Sequence, residues 1–399
     1  MVFTNQEVLK TSQQNAVKIL SKLVSFPVLG GESNIPIAEW IENYLSEHGV
    51  AFTNVPNEEG NKRSIHCRIG PAVDGGVILS GHQDVVPVEG QTWTTDPFDL
   101  IDKNDEKLYA RGSCDMKGFL ACCLAALPEM LKVDLKKPIY FAFSYDEEIG
   151  CLAAPELAEH IKSTYAEKPK YAIIGEPSMM QPVVGQKGIV VYKTHVNGSA
   201  GHSSRIKTEV SAINEAARLI LWLENKMNRL VADGRVDKRF TPPHTSIHCG
   251  IFEKSGIAPN IVSDRASFNW DCRVIPMDKS TEILEEFKAY CRDLEKCNQS
   301  KFPDFKIETE LDHSDVPPLD TPEHLSIVPL IKELSGVNEL TTVSYAAEAG
   351  QFSNAGFETV ICGPGDIAQA HRANEFIEKD QLDRGIEFMF RLIEKFSTL

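Results

Sequence analysis

Apolar residues recur at helical spacing near the start of the chain, so we expect two helices between Gln6 and His48. Phe26-Pro27 ends the first of them, since proline cannot continue a helix. Short apolar runs then alternate with further helical stretches. We expect buried strands in three of these runs, Val77–Ser80, Pro138–Tyr145 and Tyr171–Ile174. This alternation predicts an α/β sheet with helices on both faces.

The pattern changes after about Val184, where strands and helices follow in the order strand–helix–strand–strand–helix–strand. This order predicts a small split-βαβ, or ferredoxin-like, α+β domain inserted into the first one. We therefore expect one domain in residues 1–184 and 314–399 and the inserted domain in residues 185–313. The predicted elements of the insertion are Gly188–Val196, Ser211–Leu230, Thr245–Phe252, Ala266–Val274, Ser280–Cys297 and Phe305–Leu311.

Composition narrows the possible partners and the compartment. Lys and Arg total 41 against 57 Asp and Glu, so the net charge is −16. This balance argues against nucleic-acid and anionic-membrane partners, which both favour a basic surface. The ten cysteines show no CxxC spacing, which favours free thiols in a reducing compartment. The N-terminal residues are polar and no apolar stretch approaches the roughly 18 residues of a membrane span, so we expect a cytoplasmic protein.

Polar, potentially reactive side chains follow the apolar strands. In an open α/β sheet, the carboxyl ends of the strands are where ligands bind. Taken singly, such features have ordinary explanations: a structural histidine, a solvated acidic face or a turn. Five of them occur together in this chain: Ser80-Gly81-His82-Gln83-Asp84, Arg111–Gly118, Asp146-Glu147-Glu148, Gly175-Glu176-Pro177 and Ala370–Glu375.

Carboxylates gathered at one edge would repel each other and raise each other's pKa unless a cation lay between them. Imidazole and carboxylate donors suit zinc or a similar first-row divalent ion. Asp84 can accept the second ring N–H of His82 and so orient the imidazole. Glu147 and Glu148 cannot both point the same way from an extended backbone, so one can bind metal while the other serves as general base.

In order and spacing, these features resemble the di-zinc aminoacylase and acetylornithine deacetylase family, which also contains succinyl-diaminopimelate desuccinylase and dipeptidases. The resemblance covers nearly the whole chain and is greatest to the acetylornithine deacetylase branch. It implies a mixed-sheet, zinc-peptidase-like catalytic domain with an inserted lid and dimerisation domain. The matching segments are Asp146–Cys151, Gly175–Ser178, Glu348-Ala349-Gly350 and Cys362–His371.

The resemblance implies two Zn²⁺ ions per chain, with Co²⁺ or Mn²⁺ as possible substitutes. In this pattern His82 and Glu176 complete one metal site, and Glu148 and His371 complete the other. Asp115 bridges the two ions. Metal sites of this kind activate a water molecule for attack on a carbonyl group.

Two further roles follow from the same resemblance. Asp84 would orient His82, and Glu147 would be the general acid/base that moves a proton from the attacking water to the departing amine. The implied reaction removes an acyl group, which we expect to be acetyl, from the α-nitrogen of an amino acid. N2-acetylornithine, in arginine biosynthesis, is the expected substrate, and a homodimer is the expected assembly.

The resemblance also marks candidate substrate contacts. His202 would reach the partner subunit's active site and help bind the oxyanion, while Arg273 and Asn260 would grip the substrate carboxylate. Gly350 lies in a loop that approaches substrate in relatives. The ordinary alternatives are a turn histidine, a strand salt bridge, a turn asparagine and a turn glycine.

Two alternative functions remain open. One is another enzyme of the same family: a deacylase for a different amino acid, a desuccinylase or a dipeptidase. Val343–Ala347 supports it, since acetylornithine deacetylases more often carry a Gly-Thr pair just before the Glu-Ala-Gly element. The other is a catalytically silent, metal-dependent binding protein, which would require a missing ligand or base, and none is missing.

Overall fold

The computed structural model describes residues 6–253 and 255–398. Its helices are α1 (Gln6–Val24), α2 (Ile35–Glu47), α3 (Lys117–Met130), α4 (Ala154–Thr164), α5 (Ala212–Ala232), α6 (Ser280–Asn298), α7 (Ile327–Ser335), α8 (Ala349–Asn354) and α9 (Lys379–Thr398).

The strands fall in both halves of the chain, and several are short. They are β1 (Phe52–Pro56), β2 (Arg63–Ile69), β3 (Val77–His82), β4 (Ile101–Asp102), β5 (Lys107–Tyr109), β6 (Ile139–Ser144), β7 (Tyr171–Pro177), β8 (Val183–Gln186), β9 (Gly188–Asn197), β10 (Gly201–His202), β11 (Ser246–Phe252), β12 (Ile261–Val262), β13 (Arg265–Val274), β14 (Lys306–Val316), β15 (Leu319–Asp320), β16 (Thr341–Val343), β17 (Glu358–Gly363) and β18 (Phe376–Glu378).

The chain divides into two compact units. The first runs to Gly185 and resumes with Leu319–Thr341 and the residues from Ala347 onward. The second contains Gln186–Pro318 together with Thr342–Ala346. The chain returns to the first unit later than the predicted residue 314, because β14 continues beyond the expected Leu311 to Val316.

A mixed sheet organises the first unit, with strand order β1-β2-β6-β3-β7-β17-β8-β15. Its four central neighbours, β6, β3, β7 and β17, run parallel to one another. The pairs β1–β2 and β2–β6 are antiparallel. The predicted mixed α/β fold is therefore confirmed, and the carboxyl ends of four adjacent strands share one edge of the sheet.

Helix α3 is buried almost all round and packs against α1, α9 and the strands β3 and β7. It contains Pro128 and ends at Met130. Side chains of β6 alternate between the two faces of the sheet. Phe141 and Phe143 join the core formed by α1, α3 and α9, whereas Tyr140 contacts Tyr165 at the end of α4. Helices therefore cover both faces, as the sequence pattern predicts.

A glycine lets α3 approach the strand that carries Glu176. A Cβ atom at Gly175 would lie only 2.0 Å from Cγ of Phe119 on α3. Any side chain at residue 175 would displace either the helix or the strand, since core packing leaves no space for an added carbon. The absence of a side chain at Gly175 thus sets the distance between α3 and the end of β7.

The second unit is an antiparallel sheet of order β11-β13-β9-β14 with α5 and α6 packed against it. This is the strand order of a split βαβ fold. The buried apolar residues of α5 are Ala212, Ala216, Leu219, Leu223 and Leu230.

Two global features bear on the expectations about membranes and cysteines. Within residues 6–253 and 255–398, none of the helices is long and apolar enough to cross a membrane. All ten cysteines are free thiols.

Candidate metal centre

The candidate ligands lie at the shared edge of the parallel strands. β3 ends at His82, β7 carries Glu176 near its end, and β6 ends at Ser144, three residues before Glu147. The remaining two are Asp115, which lies just before α3, and His371, which follows β17.

Asp115 lies between the two histidines. Its Oδ1 is 3.1 Å from Nε2 of His82, and its Oδ2 is 3.5 Å from Nε2 of His371. Nε2 of His371 is also 3.0 Å from Oε2 of Glu148, while Nε2 of His82 is 3.8 Å from Oε1 of Glu176. Each oxygen of one carboxylate thus faces a different imidazole, an arrangement suited to a bridging ligand.

Ligand atoms converge in two overlapping groups whose members lie within 4.8 Å of one another. One group contains His82, Asp115 and Glu148, and the other contains His82, Glu147 and Glu176. The two groups contain four of the five predicted metal ligands and the predicted base, and the fifth ligand, His371, joins them through its contacts with Glu148 and Asp115.

The protonation of His82 tests whether these residues fit a metal ion. Its Nδ1 is 2.9 Å from the main-chain oxygen of Asp84, which can only accept a hydrogen bond. Neutral His82 therefore carries its proton on Nδ1, and the lone pair of Nε2 faces the Asp115 carboxylate. Only a proton or a cation can make that contact favourable.

Glu176 provides a second test of the fit. Its Oε1 is a buried acceptor without a hydrogen-bond partner among the described residues. A buried, unsatisfied carboxylate oxygen is costly, and a bound cation removes that cost. The nitrogen and oxygen donors match zinc or another first-row divalent ion.

The pKa shifts describe the same excess of negative charge. Burial, followed by the charges of Asp115 and Glu147, raises the pKa of Glu176 well above its ordinary value. Burial and the Asp115 charge raise the pKa of Glu148 to about 7. Burial by itself lowers the pKa of His82, but the surrounding carboxylates raise it well above normal. Protons or a bound cation can offset the repulsion between these carboxylates.

Asp84 contacts the site differently from the prediction. Its main-chain oxygen, rather than its carboxylate, is the acceptor nearest to Nδ1 of His82, and its Oδ1 is 3.7 Å away. The two carboxylate oxygens instead each accept one main-chain N–H, from Glu147 and Glu148, at 3.2 Å. Asp84 therefore connects the segment that follows β3 with the segment that follows β6.

The two carboxylate oxygens of Glu147 have different surroundings, since one contacts Cys151 and the other faces His82. The Cys151 thiol lies 3.2 Å from its Oε1 and donates to it, while its Oε2 is 3.9 Å from Nε2 of His82. The main-chain N–H of Cys151 also donates to the Glu147 carbonyl at 2.8 Å. Cys151 belongs to the matching segment Asp146–Cys151, but no sequence pattern assigns it a role.

Two residues of the Glu-Ala-Gly element differ from the expectation. Gly350 was expected in a loop, but it is buried within α8. Glu348, to which no role had been assigned, is 1% exposed, and its Oε2 is 3.5 Å from Oγ of Ser80 on β3. Burial raises the pKa of Glu348 to about 7. The matching segment was the only sequence signal for this residue.

The candidate substrate contacts of the second unit lie in two places. His202 on β10 is exposed, with Nδ1 2.8 Å from Oγ of Ser204. The main chain of Ser203 donates to the Asn260 carbonyl at 2.9 Å, so His202 and Asn260 are close neighbours. Arg273 lies on β13, with its Nε 3.7 Å from Oδ1 of Asp271, and its side chain is 40% exposed.

Comparisons with known proteins identify the family and support the fold. Residues 78–395 match the model of peptidase family M20/M25/M40. An acetylornithine deacetylase of Aliivibrio salmonicida is 31% identical over 90% of both chains. A tripeptidase structure from Staphylococcus aureus has a TM-score of 0.75 at 19% identity, covering 97% of this chain and 99% of its own. The Bacillus subtilis YXEP protein, described as a dinuclear metal binding peptidase, has a TM-score of 0.63 at 13% identity, covering 98% and 100%.

The family match extends over most of the chain, from the strand that ends in His82 to the last helix. The chain belongs to peptidase family M20/M25/M40. It is therefore a metal-dependent hydrolase that acts on amide bonds.

Proposed function

We propose that this enzyme removes the acetyl group from N2-acetylornithine, producing ornithine and acetate. The observation that carries the proposal is the cluster of two imidazoles and four carboxylates at the sheet edge, in a chain 31% identical to an acetylornithine deacetylase over 90% of both lengths. Hydrolysis of a linear amide requires an activated water and a proton donor for the amine, and this cluster contains groups suited to both tasks.

We further propose two zinc ions per chain, with cobalt or manganese as functional substitutes. His82 and Glu176 would hold one ion, Glu148 and His371 the other, and Asp115 would contact both. The positions of Oδ1 and Oδ2 of Asp115 next to different histidines support this assignment. When bound, such a pair of ions polarises an amide carbonyl, lowers the pKa of a water molecule and stabilises developing negative charge.

Glu147 is the proposed general acid/base. Its Oε2 faces the cluster, while Cys151 and Asp84 restrain the carboxylate and the main chain, respectively. Glu147 would accept a proton from the attacking water and then donate it to the departing amine, which must be protonated to leave. Its high pKa, caused first by burial and then modified by neighbouring charges, favours holding that proton.

Substrate recognition is proposed from the family resemblance. Arg273 and Asn260 would bind the α-carboxylate, His202 would help bind the oxyanion, and Gly350 would contribute through its main chain. The half-exposed guanidinium of Arg273 can form the two parallel hydrogen bonds that a carboxylate accepts. The inserted unit would serve as lid and as homodimer contact.

A substrate panel tests the specific proposal. Purified, zinc-loaded protein is assayed with N-acetylornithine, N-acetylcitrulline, N-acetylmethionine, N-succinyl-diaminopimelate and several dipeptides. We expect the highest kcat/KM for N-acetylornithine. A preference for another amide would reject the substrate but retain the family, whereas failure to hydrolyse any of the set would count against the hydrolase itself.

The cellular setting is also a proposal. Ten free thiols fit a reducing compartment such as the cytoplasm, where a step of arginine biosynthesis would operate. Sedimentation analysis should show a homodimer at assay concentrations. A monomer with full activity would argue against His202 acting in the partner subunit.

A further inference from the structure

We infer that Glu375 and Gln91 are positioning residues that join the loop carrying Asp115 to the loop carrying His371. Through this connection they set the affinity for the metal ion held by Glu148 and His371. The inference rests on the proposed function, since it assumes that the cluster binds two ions. Neither residue is among the predicted ligands or catalytic groups.

Glu375 accepts hydrogen bonds from the segment immediately before α3. Its Oε1 accepts the N–H groups of Cys114 and Asp115 at 2.9 and 3.0 Å. Its Oε2 accepts the N–H of Gly112 at 3.1 Å and Nη1 of Arg111 at 2.7 Å. Four donors on one carboxylate, one of them the N–H of Asp115 itself, fix the position of this loop.

The charge of Glu375 is buried, and it therefore needs these hydrogen bonds. Its side chain is 0% exposed and that of Arg111 is 1% exposed, so both charges lie out of water. A buried charge pair gives little net stability compared with an apolar replacement, although breaking it is costly. The same four hydrogen bonds, however, define one geometry for the segment that precedes the ligand Asp115. We therefore assign Glu375 a role in geometry rather than in stability alone.

Gln91 extends the connection to the other loop. Its Oε1 accepts Nη2 of Arg111 at 2.7 Å, and its Nε2 donates to the His371 carbonyl at 2.9 Å. Trp93 adds an indole N–H to the same Oε1 at 3.0 Å. A continuous path thus runs from the N–H of Asp115 through Glu375, Arg111 and Gln91 to the main chain of His371.

The backbone of His371 explains why such a restraint matters. Its φ is +62°, a left-handed conformation that non-glycine residues rarely adopt unless surrounding contacts maintain it. The side chain of His371 is 58% exposed, so burial contributes little to its position. The hydrogen bond from Gln91 is therefore an important restraint on this ligand.

Loss of the Glu375 and Gln91 contacts should weaken the binding of the two proposed ions unequally. Asp115 Oδ1 and Glu176 face His82, which is buried on β3, whereas Asp115 Oδ2 and Glu148 face the exposed His371. Loosening the joined loops would release two ligands of the ion at Glu148 and His371, namely His371 and Asp115. The other ion would share only the loss of Asp115, because His82 and Glu176 stay fixed on strands of the sheet. Partners of this kind typically contribute about 10- to 100-fold to metal affinity.

The experiment measures metal content and affinity rather than turnover. Glu375→Gln and Gln91→Ala are compared with wild type and with Glu378→Gln, a matched loss of charge at an exposed position of β18. Zinc per chain is determined by elemental analysis after dialysis, and affinity by competition with a chelator. We expect two ions in wild type and in the control, and one tight ion in both variants, with the second bound about 10- to 100-fold more weakly.

The outcomes separate the two proposals. A wild-type protein without bound zinc would contradict the proposed function. Wild type and both folded variants with two ions of equal affinity would overturn the positioning role. If Glu375→Gln does not fold, as judged by circular dichroism, Gln91→Ala decides, since it leaves the Glu375–Arg111 pair intact.

Discussion

Glu147 and Glu148 are adjacent in the chain, yet their carboxylates contact different partners. Glu147 accepts from the Cys151 thiol, whereas Glu148 lies 3.0 Å from His371. Asp84 accepts both main-chain N–H groups and so fixes the turn between them. At the scale of single residues, one acidic dipeptide can therefore supply both a base and a metal ligand.

Substitution of each glutamate in turn should distinguish the role of general base from that of metal ligand. We expect Glu147→Gln to lower kcat by about 10²- to 10⁴-fold, the usual contribution of a general acid/base, with zinc content unchanged. Glu148→Gln is the matched control and should lose zinc together with activity. Steady-state kinetics and elemental analysis provide the two readouts. Full activity of Glu147→Gln would exclude the proposed base.

At the scale of elements, the distance between α3 and the central strands decides where the ligands lie. Asp115 is two residues before α3 begins, while His82 and Glu176 lie at the ends of β3 and β7, on which α3 packs. Small residues at the contact allow this approach. The metal site therefore depends on core packing behind it.

A methyl group at this contact should disturb both stability and the site. Gly175→Ala places a Cβ within 2.0 Å of the Phe119 ring, and overpacking of this kind costs about 1–3 kcal/mol in free energy of unfolding. Chemical denaturation measures the loss. The double variant Gly175→Ala/Phe119→Leu should recover part of it, and a simple sum of the two single effects would contradict the steric explanation.

The contact between β2 and α4 should make stability depend on pH. His66 is buried, with Nδ1 2.9 Å from the Tyr165 hydroxyl and Nε2 2.9 Å from Nδ1 of His160. Burial, followed by the His160 charge, lowers the pKa of His66 to about 4. The neutral ring stabilises the fold above the unfolded pKa of about 6.5, and this contribution is lost as the pH falls from there toward 4.

We expect the loss to reach up to about 3 kcal/mol, the equivalent of the full pKa difference. Urea denaturation between pH 7 and pH 4.5 should therefore show a smaller pH dependence for His66→Gln than for wild type. His324→Gln, at an exposed position, controls for the removal of any histidine. Equal pH dependence in all three proteins would contradict the assignment.

At the scale of the whole molecule, four of the acidic residues are gathered in one buried cluster. The net charge is −16, but the cluster at the sheet edge concentrates Asp115, Glu147, Glu148 and Glu176 in buried surroundings. Their mutual repulsion opposes folding unless protons or cations compensate it. We therefore expect the stability of the whole fold to depend on the metal content.

Removal of metal should abolish amide hydrolysis and lower stability together. At free zinc 100 times above the dissociation constant, one bound ion contributes about 2.7 kcal/mol to the free energy of unfolding. Thermal unfolding and activity are measured after chelation and again after zinc is restored. Unchanged Tm and activity in the chelated protein would contradict the metal centre, while recovery with zinc but not with magnesium would support the nitrogen-containing ligand set.

Local pattern predicted the central strands and drew attention to the polar residues that the structure gathers at the sheet edge, whereas the family resemblance supplied the proposed metal ligands. The runs Val77–Ser80 and Tyr171–Ile174 marked β3 and β7, because a buried strand requires consecutive apolar residues. The His, Asp and Glu residues after these strands indicated a metal site because their charges need compensation. The inserted ferredoxin-like topology followed from element order.

Tertiary structure alone decided which atoms of these residues meet. It placed the main-chain oxygen of Asp84, rather than its carboxylate, nearest to His82, and it put Gly350 inside a helix. It also assigned contacts to Glu348 and Glu375 that no local pattern specifies. Periodicity records which face of an element is buried, whereas contacts between residues far apart in the chain depend on strand order, register and the close packing of the core.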